Sequence, residues 1–126
     1  FKLINDSYGH KIGDNIIKLM AKSTEAILRK SDVFGRLGGE EFAAVLPSTS
    51  LRGALIVAEN IRKEMEALEY KTAKKQLVKF TVSVGVSMLC STDNDLEAVL
   101  HKADLALYEA KKLGRNRVEV YEEVSE

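Results

Sequence analysis

Between residues 78 and 88 every second position is apolar: Val78, Phe80, Val82, Val84, Val86 and Met88 alternate with mostly polar neighbours. A period of two sends all six side chains to one face of an extended strand, so the stretch must be half-buried against a second layer. Helices can supply that layer. Ile17, Met20, Ala21, Thr24, Ile27 and Leu28 follow helical spacing from about Asp14 to Leu28. Leu55, Ala58, Ile61, Met65 and Leu68 do so from Leu51 to Leu68, with Glu59, Arg62, Lys63 and Glu66 on the solvated side. A third set, Leu96, Val99, Leu100, Ala103, Ala106, Leu107 and Ala110, is entered through Asp93-Asn94-Asp95 and left through Gly114. Shorter strands are expected at Val33–Leu37, Phe42–Leu46 and Arg117–Tyr121, with a turn or single helical turn in residues 1–9. Lys71–Gln76 reads as a polar hairpin or loop, Pro47–Ser50 as a stop offering cap residues, and Glu122–Glu126 as a polar tail. Helix, hairpin, helix, long strand, helix, strand is an α+β order, with antiparallel pairing and helices packed on the sheet. At 126 residues the chain is expected to be one domain, 1–126.

The hairpin carries the chemistry. In Arg36-Leu37-Gly38-Gly39-Glu40-Glu41-Phe42 two glycines and two carboxylates form a tight turn between two strands expected to be buried. Glycines permit positive φ and let a phosphate or sugar approach the backbone, and paired carboxylates suit a divalent cation. A second interpretation of the same residues is a solvated turn whose glutamates keep a sheet edge soluble. Nineteen acidic and nineteen basic residues cancel, so no global field favours nucleic acid or an anionic membrane. No apolar run reaches membrane-span length and no leader opens the chain, which suggests a cytoplasmic domain. Cys90 is the single cysteine, consistent with a reducing compartment and no internal disulfide. His10 and His101 lack a second histidine at metal spacing and are given no ligand role.

The hairpin resembles the signature of the GGDEF family, the diguanylate cyclases, in its GGEEF variant. Phe1-Lys2-Leu3-Ile4-Asn5-Asp6-Ser7-Tyr8-Gly9-His10-Lys11-Ile12-Gly13-Asp14 is similar to the family's nucleotide-binding segment. Ser83-Val84-Gly85 falls where the family has a late-strand motif, and Asp104 to Asn116 looks like its closing helix and turn. Four blocks in family order span nearly the whole chain. The resemblance implies a palm-like, ferredoxin-related antiparallel sheet with helices packed on it, as in nucleotidyl cyclase catalytic domains. The family pattern has an Asp-x-Asp strand end just before the position of Phe1, so a first strand and one metal ligand are expected to be missing from these residues.

That family joins two GTP into cyclic di-GMP and two pyrophosphates, with two domains facing each other as a homodimer. By resemblance, Glu40 is the ligand for Mg²⁺ (or Mn²⁺) and a candidate for deprotonating the attacking hydroxyl, while Glu41 keeps the hairpin in shape. Gly38 and Gly39 clear space for ribose and α-phosphate. Arg36 is placed to offset phosphate charge, or is an ordinary strand-end arginine. Asn5 and Asp14 sit at the guanine-reading positions, an amide and a carboxylate suited to that base edge; read alone, they are a turn residue and a helix cap. Backbone N–H groups around Phe1 and Lys2 would receive the triphosphate, closed on by Lys111 and Arg115, which four residues apart at a helix end can share a face. Arg29 and Asp32 form an Arg-x-x-Asp whose offset from Gly38 matches the family's inhibitory product site, an allosteric site for cyclic di-GMP. Asn60 stands where the family often adds a further arginine.

The expected function is therefore a product-inhibited diguanylate cyclase of bacterial signalling, driven by an upstream sensor domain, with residues 1–126 alone weakly active or inactive. The alternatives are a catalytically silent module that binds GTP or cyclic di-GMP as a sensor, and a dimerisation domain that binds no nucleotide.

Overall fold

Helix α1, His10–Ile27, buries Ile16, Ile17, Met20 and Thr24 along one stripe, as helical spacing requires. A computed structural model describes residues 7–90, 93 and 95–122 of the chain. The expectations for residues 1–6, for Asn94 and for the end of the tail lie outside these residues. α1 starts at His10 rather than near Asp14, after Gly9 at φ 92°.

The chain divides into two units, one within Phe1–Pro47 and Glu64–Phe80, the other within Ser48–Lys63 and Thr81–Glu126. In the first, α1 is followed by β1, Val33–Gly38, and β2, Glu41–Val45, paired antiparallel as a hairpin. These strands are more open than expected: Val33 is 63% and Leu37 62% exposed. Their apolar content is spent locally instead, Phe34 stacking on Phe42 with ring centroids 5.3 Å apart. The polar segment Lys71–Gln76 does form a hairpin, joining β3, Tyr70–Lys71, to β4, Leu77–Val78. Thr72 closes its tip by accepting the Gln76 backbone N–H on its hydroxyl at 3.1 Å.

Helix α2, Leu51–Ala67, starts in the second unit and ends in the first. Ser50 caps it through a hydroxyl that accepts the Gly53 N–H at 3.1 Å. The remainder of the second unit is β5, Val84–Val86, then α3, Leu96–Lys112, then β6, Val118–Val120. The long strand expected over 78–88 is thus two short ones, β4 and β5, with residues 79–83 in neither. Its burial pattern survives, Val78, Phe80 and Val86 all being buried. Its ends divide because they pair with different partners.

The overall class is the α+β order expected, with three helices and three two-stranded sheets among the described residues. One correction concerns pairing direction. β5 and β6 run parallel, Val84 opposite Val118 and Val86 opposite Val120, because a whole helix connects them and a helical crossover returns the chain in the same direction. Gly85 explains how tightly that helix lies on β5. A Cβ there would come within 2.1 Å of the Ala103 carbonyl oxygen and 2.4 Å of the Leu107 nitrogen, so only hydrogen fits.

Candidate functional site

The β1–β2 turn is built from local chemistry. Arg36 pairs with Phe42 and Gly38 with Glu41, and the register shifts between Arg36 and Gly38, so Leu37 is left as a bulge. Gly39 and Glu40 make the turn, Gly39 at φ 52° in the left-handed region that glycine enters without penalty. Arg36 does not simply project from the strand: its Nε donates to the Gly39 carbonyl at 2.7 Å and braces the tip. Glu40 and Glu41 are both exposed. A Cβ built on Gly38 or Gly39 would meet nothing within 4 Å, so the backbone here is open to a ligand.

Two further segments of the first unit hold residues expected to bind a nucleotide. Asp14 is exposed and lies past the first turn of α1, which contains no acid, so it is not a helix cap. The next residue, Asn15, donates to the Tyr70 hydroxyl at 3.0 Å and ties this part of α1 to β3. Phe1, Lys2 and Asn5 lie outside the described residues. Arg29 and Asp32 follow the end of α1 and hold each other. Arg29 Nη2 and Nε donate to Asp32 Oδ1 at 2.9 and 3.2 Å, and the Arg29 backbone N–H donates to Oδ2 at 2.8 Å. Arg29 Nη2 also donates to the Pro47 carbonyl at 2.8 Å. The Asp32 side chain is 2% exposed, whereas Arg29 remains 55% exposed. The guanidinium holds the Asp32 carboxyl below the ordinary carboxylate range. Beside the pair lies an open hollow of about 310 Å³ lined by Glu25, Leu28, Lys30 and Phe34 as well.

In the second unit, Asp95 caps α3 by accepting the Ala98 N–H at 3.0 Å. The helix closes in a Schellman arrangement, with Arg115 N–H donating to the Ala110 carbonyl at 2.9 Å and Gly114 N–H to Lys111 at 3.5 Å. Lys111 lies in the last helical turn, half-buried. Arg115 lies beyond it, exposed, so the two do not share a helix face as expected. Arg115 and Asn116 both take left-handed backbone, φ 63° and 47°, directly after Gly114 at 123°.

Two arrangements were not foreseen. Arg62, expected on the solvated side of α2, is only 16% exposed at its side chain and donates from Nη1 to Asn116 Oδ1 at 2.9 Å. Its Nε reaches both Glu59 carboxylate oxygens at 3.0 and 3.1 Å, which lowers the Glu59 pKa. The signal was present: Arg62 falls in helical register with the buried Ala58 and Met65. The other is Lys102, buried on α3, whose Nζ donates to Asp93 Oδ2 at 2.7 Å and to the Met88 carbonyl at 3.3 Å. It also lies 5.7 Å from the Tyr121 ring centroid. Lys102 lowers the Asp93 pKa, helped by the Cys90 backbone N–H.

Among the described residues no group of three or more His, Cys, Asp and Glu side chains gathers around a metal position. Glu40 and Glu41 nonetheless fit a hard cation, since Mg²⁺ is commonly held by one or two carboxylates with water and substrate phosphates completing its shell. No helix among the described residues is long and apolar enough to cross a membrane.

The family model described as "Diguanylate cyclase, GGDEF domain" matches residues 1–117. Diguanylate cyclase A of Treponema denticola is 42% identical over 118 residues, which cover 94% of this chain and 32% of that protein. The chain spans about a third of the length of such curated relatives. Among solved structures, the active GGEEF domain of a diguanylate cyclase from Vibrio cholerae superposes with a TM-score of 0.86 at 35% identity, over 98% of this chain and 77% of that one. The GGDEF domain of DgcB from Caulobacter crescentus, solved in complex with c-di-GMP, gives 0.91 at 31% identity, over 97% and 72%.

Proposed function

The chain belongs to the GGDEF family of diguanylate cyclase domains, and from that premise we propose that it condenses two GTP into cyclic di-GMP as a facing pair of domains. The observation that carries the proposal is the intact turn: Gly38 and Gly39 leave open backbone beside two exposed carboxylates, with Arg36 fixing the tip. In each half-reaction the 3′-oxygen of one nucleotide bonds to the α-phosphorus of the other, and the bond to pyrophosphate breaks. The hydroxyl proton leaves toward Glu40 or a water it orients. Gly38 and Gly39 admit the ribose and α-phosphate. Asp14, freed from any capping duty, accepts from guanine N1 and N2, with Asn5 meeting the remaining edge. Phe1 and Lys2 offer backbone N–H groups to the phosphates, and Lys111 and Arg115 neutralise charge on the departing pyrophosphate. Glu41 supports the hairpin. A divalent cation held by Glu40 would supply electrostatic stabilisation of the phosphates.

Arg29 and Asp32 are assigned to binding of the product. Arginine can fork onto guanine O6 and N7, aspartate can accept N1 and N2, and the neighbouring hollow gives a base room to enter. Binding must open their mutual ion pair. The family pattern pairs Glu40 with an aspartate of an Asp-x-Asp strand end, so activity is tested on an extended form in which residues 1–126 follow such a strand. The test measures cyclic di-GMP formed from GTP and Mg²⁺ by that extended form at high protein concentration, with and without Glu40→Gln. Turnover lost by about a hundredfold or more in the variant, with unchanged thermal unfolding, is the expected result. An extended protein that makes no cyclic di-GMP, or a variant as active as its parent, rejects the proposal.

A further inference from the structure

We infer that Arg62, backed by Glu59, is a positioning residue that fixes the left-handed turn carrying Arg115 and so sets the grip on the triphosphate. The inference rests on the assignment of Arg115 to phosphate binding made above. Its structural basis is the second unit's own geometry. Gly114 ends α3 as a Schellman glycine normally does, but the turn continues through two further positive-φ residues, Arg115 at 63° and Asn116 at 47°. A side-chain-bearing residue in this region is strained, less so for asparagine than for arginine, and such strain persists only where surrounding contacts over-determine it. Arg62 makes one such contact, its Nη1 on Asn116 Oδ1 at 2.9 Å. Glu59 takes both Nε and Nη2 of the same guanidinium, so the fork cannot swing away from the turn without losing several charge-assisted bonds. The Val84 N–H donates to the Arg117 carbonyl at 2.9 Å on the far side. Arg115 is therefore held between the Schellman close of α3 before it and the anchored Asn116 and bonded Arg117 after it, while its own side chain stays exposed. A lysine at 62 would keep the charge but could not address Glu59 and Asn116 together.

Calorimetry compares GTP with GMP on the wild-type chain and on Arg62→Ala, Arg62→Lys, Asn116→Ala, the Arg62→Ala/Asn116→Ala double variant and Arg115→Ala. A residue that aims Arg115 affects the ligand with the longer phosphate chain, whereas a merely structural loss lowers affinity for both. Arg62→Ala, Arg62→Lys and Asn116→Ala should each weaken GTP by about tenfold and leave GMP within about twofold. The double variant should lose no more than either single one, because both act through one bond. Placing Asn116→Gly in the Arg62→Ala background should restore part of the GTP affinity, since glycine adopts the turn without strain. If Arg115→Ala weakens GTP while the Arg62 variants do not, or if they weaken GTP and GMP alike, the inference fails and the phosphate assignment stands. If Arg115→Ala leaves GTP binding unchanged, or the wild-type chain binds no GTP, the assignment fails and takes the inference with it.

Discussion

The glycines of the β1–β2 turn and the glycine of β5 stand in opposite surroundings. A Cβ on Gly38 or Gly39 would reach open space, whereas one on Gly85 would overlap the backbone of α3 at Ala103 and Leu107. Both are motif glycines of one chain, yet only Gly85 is required by packing. The turn glycines answer to backbone conformation and to whatever approaches from outside, so stability and activity should separate cleanly between the two regions.

The comparison breaks first at Gly85. The atoms a methyl group would strike are main-chain atoms of a packed helix, and no side-chain rotation relieves that overlap. Gly85→Ala should therefore cost about 3 kcal/mol or more, lowering the unfolding midpoint by about 10 °C or leaving no soluble protein. A midpoint within about 2 °C of wild type would mean that α3 is not seated on β5 as described. Gly39→Ala tests the other side with a smaller structural effect. Its only cost in the free chain is the left-handed φ, about 1–2 kcal/mol, or about 5 °C. Turnover should nevertheless fall about a hundredfold, because a displaced turn misaligns the reacting groups. Loss of activity in proportion to loss of stability would return the turn glycines to a purely structural role.

What could be read from the residues themselves follows the same division between local and long-range causes. The ends of α3 were legible because a cap at Asp95 and a glycine at 114 act through their immediate neighbours. The turn at Gly38 and Gly39 was legible for the same reason. The partition of the 78–88 strand was not, since alternation reports which face is buried and says nothing of which strand pairs with which. The exposure of β1 was also missed, because its apolar residues look like core until Phe34 and Phe42 are seen to satisfy each other. Arg62 was placed in solvent on its charge alone, although its position on α2 lies in the buried register. Lys102 escaped notice because a lysine among apolar helix positions declares its partner only when the loop carrying Asp93 is in place. The family resemblance supplied most of the assignment of chemistry. It could not foretell that Arg29 and Asp32 would hold each other, or that Arg115 would leave the helix.

The smallest expected effect concerns charge and is confined to acid. Each unit holds a carboxylate whose pKa is lowered by its cation: Asp32 by Arg29 in the first, Asp93 by Lys102 and Glu59 by Arg62 in the second. A group whose folded-state pKa lies below its unfolded value contributes stability that is fully present above the unfolded value and is lost as pH falls through the folded one. For the aspartates the unfolded value is near 3.8, so their contribution should be constant from neutral pH down to about 5 and fade below 3.8. Asp93→Asn keeps an oxygen able to accept from Lys102 and from the Cys90 N–H, but it has no proton to gain. Its unfolding midpoint should fall less steeply with pH below 3.8 than that of the wild type. Asp32→Asn should flatten the same limb through the ion pair of the first unit, and here added salt should mimic part of the change because Arg29, unlike the enclosed Asp32, is open to solvent. The pair made by Lys102 and Asp93, with side chains only 10% and 8% exposed, should respond far less to salt. Equal salt sensitivity of the two variants' acid limbs would show that the enclosure of Lys102 does not persist in solution.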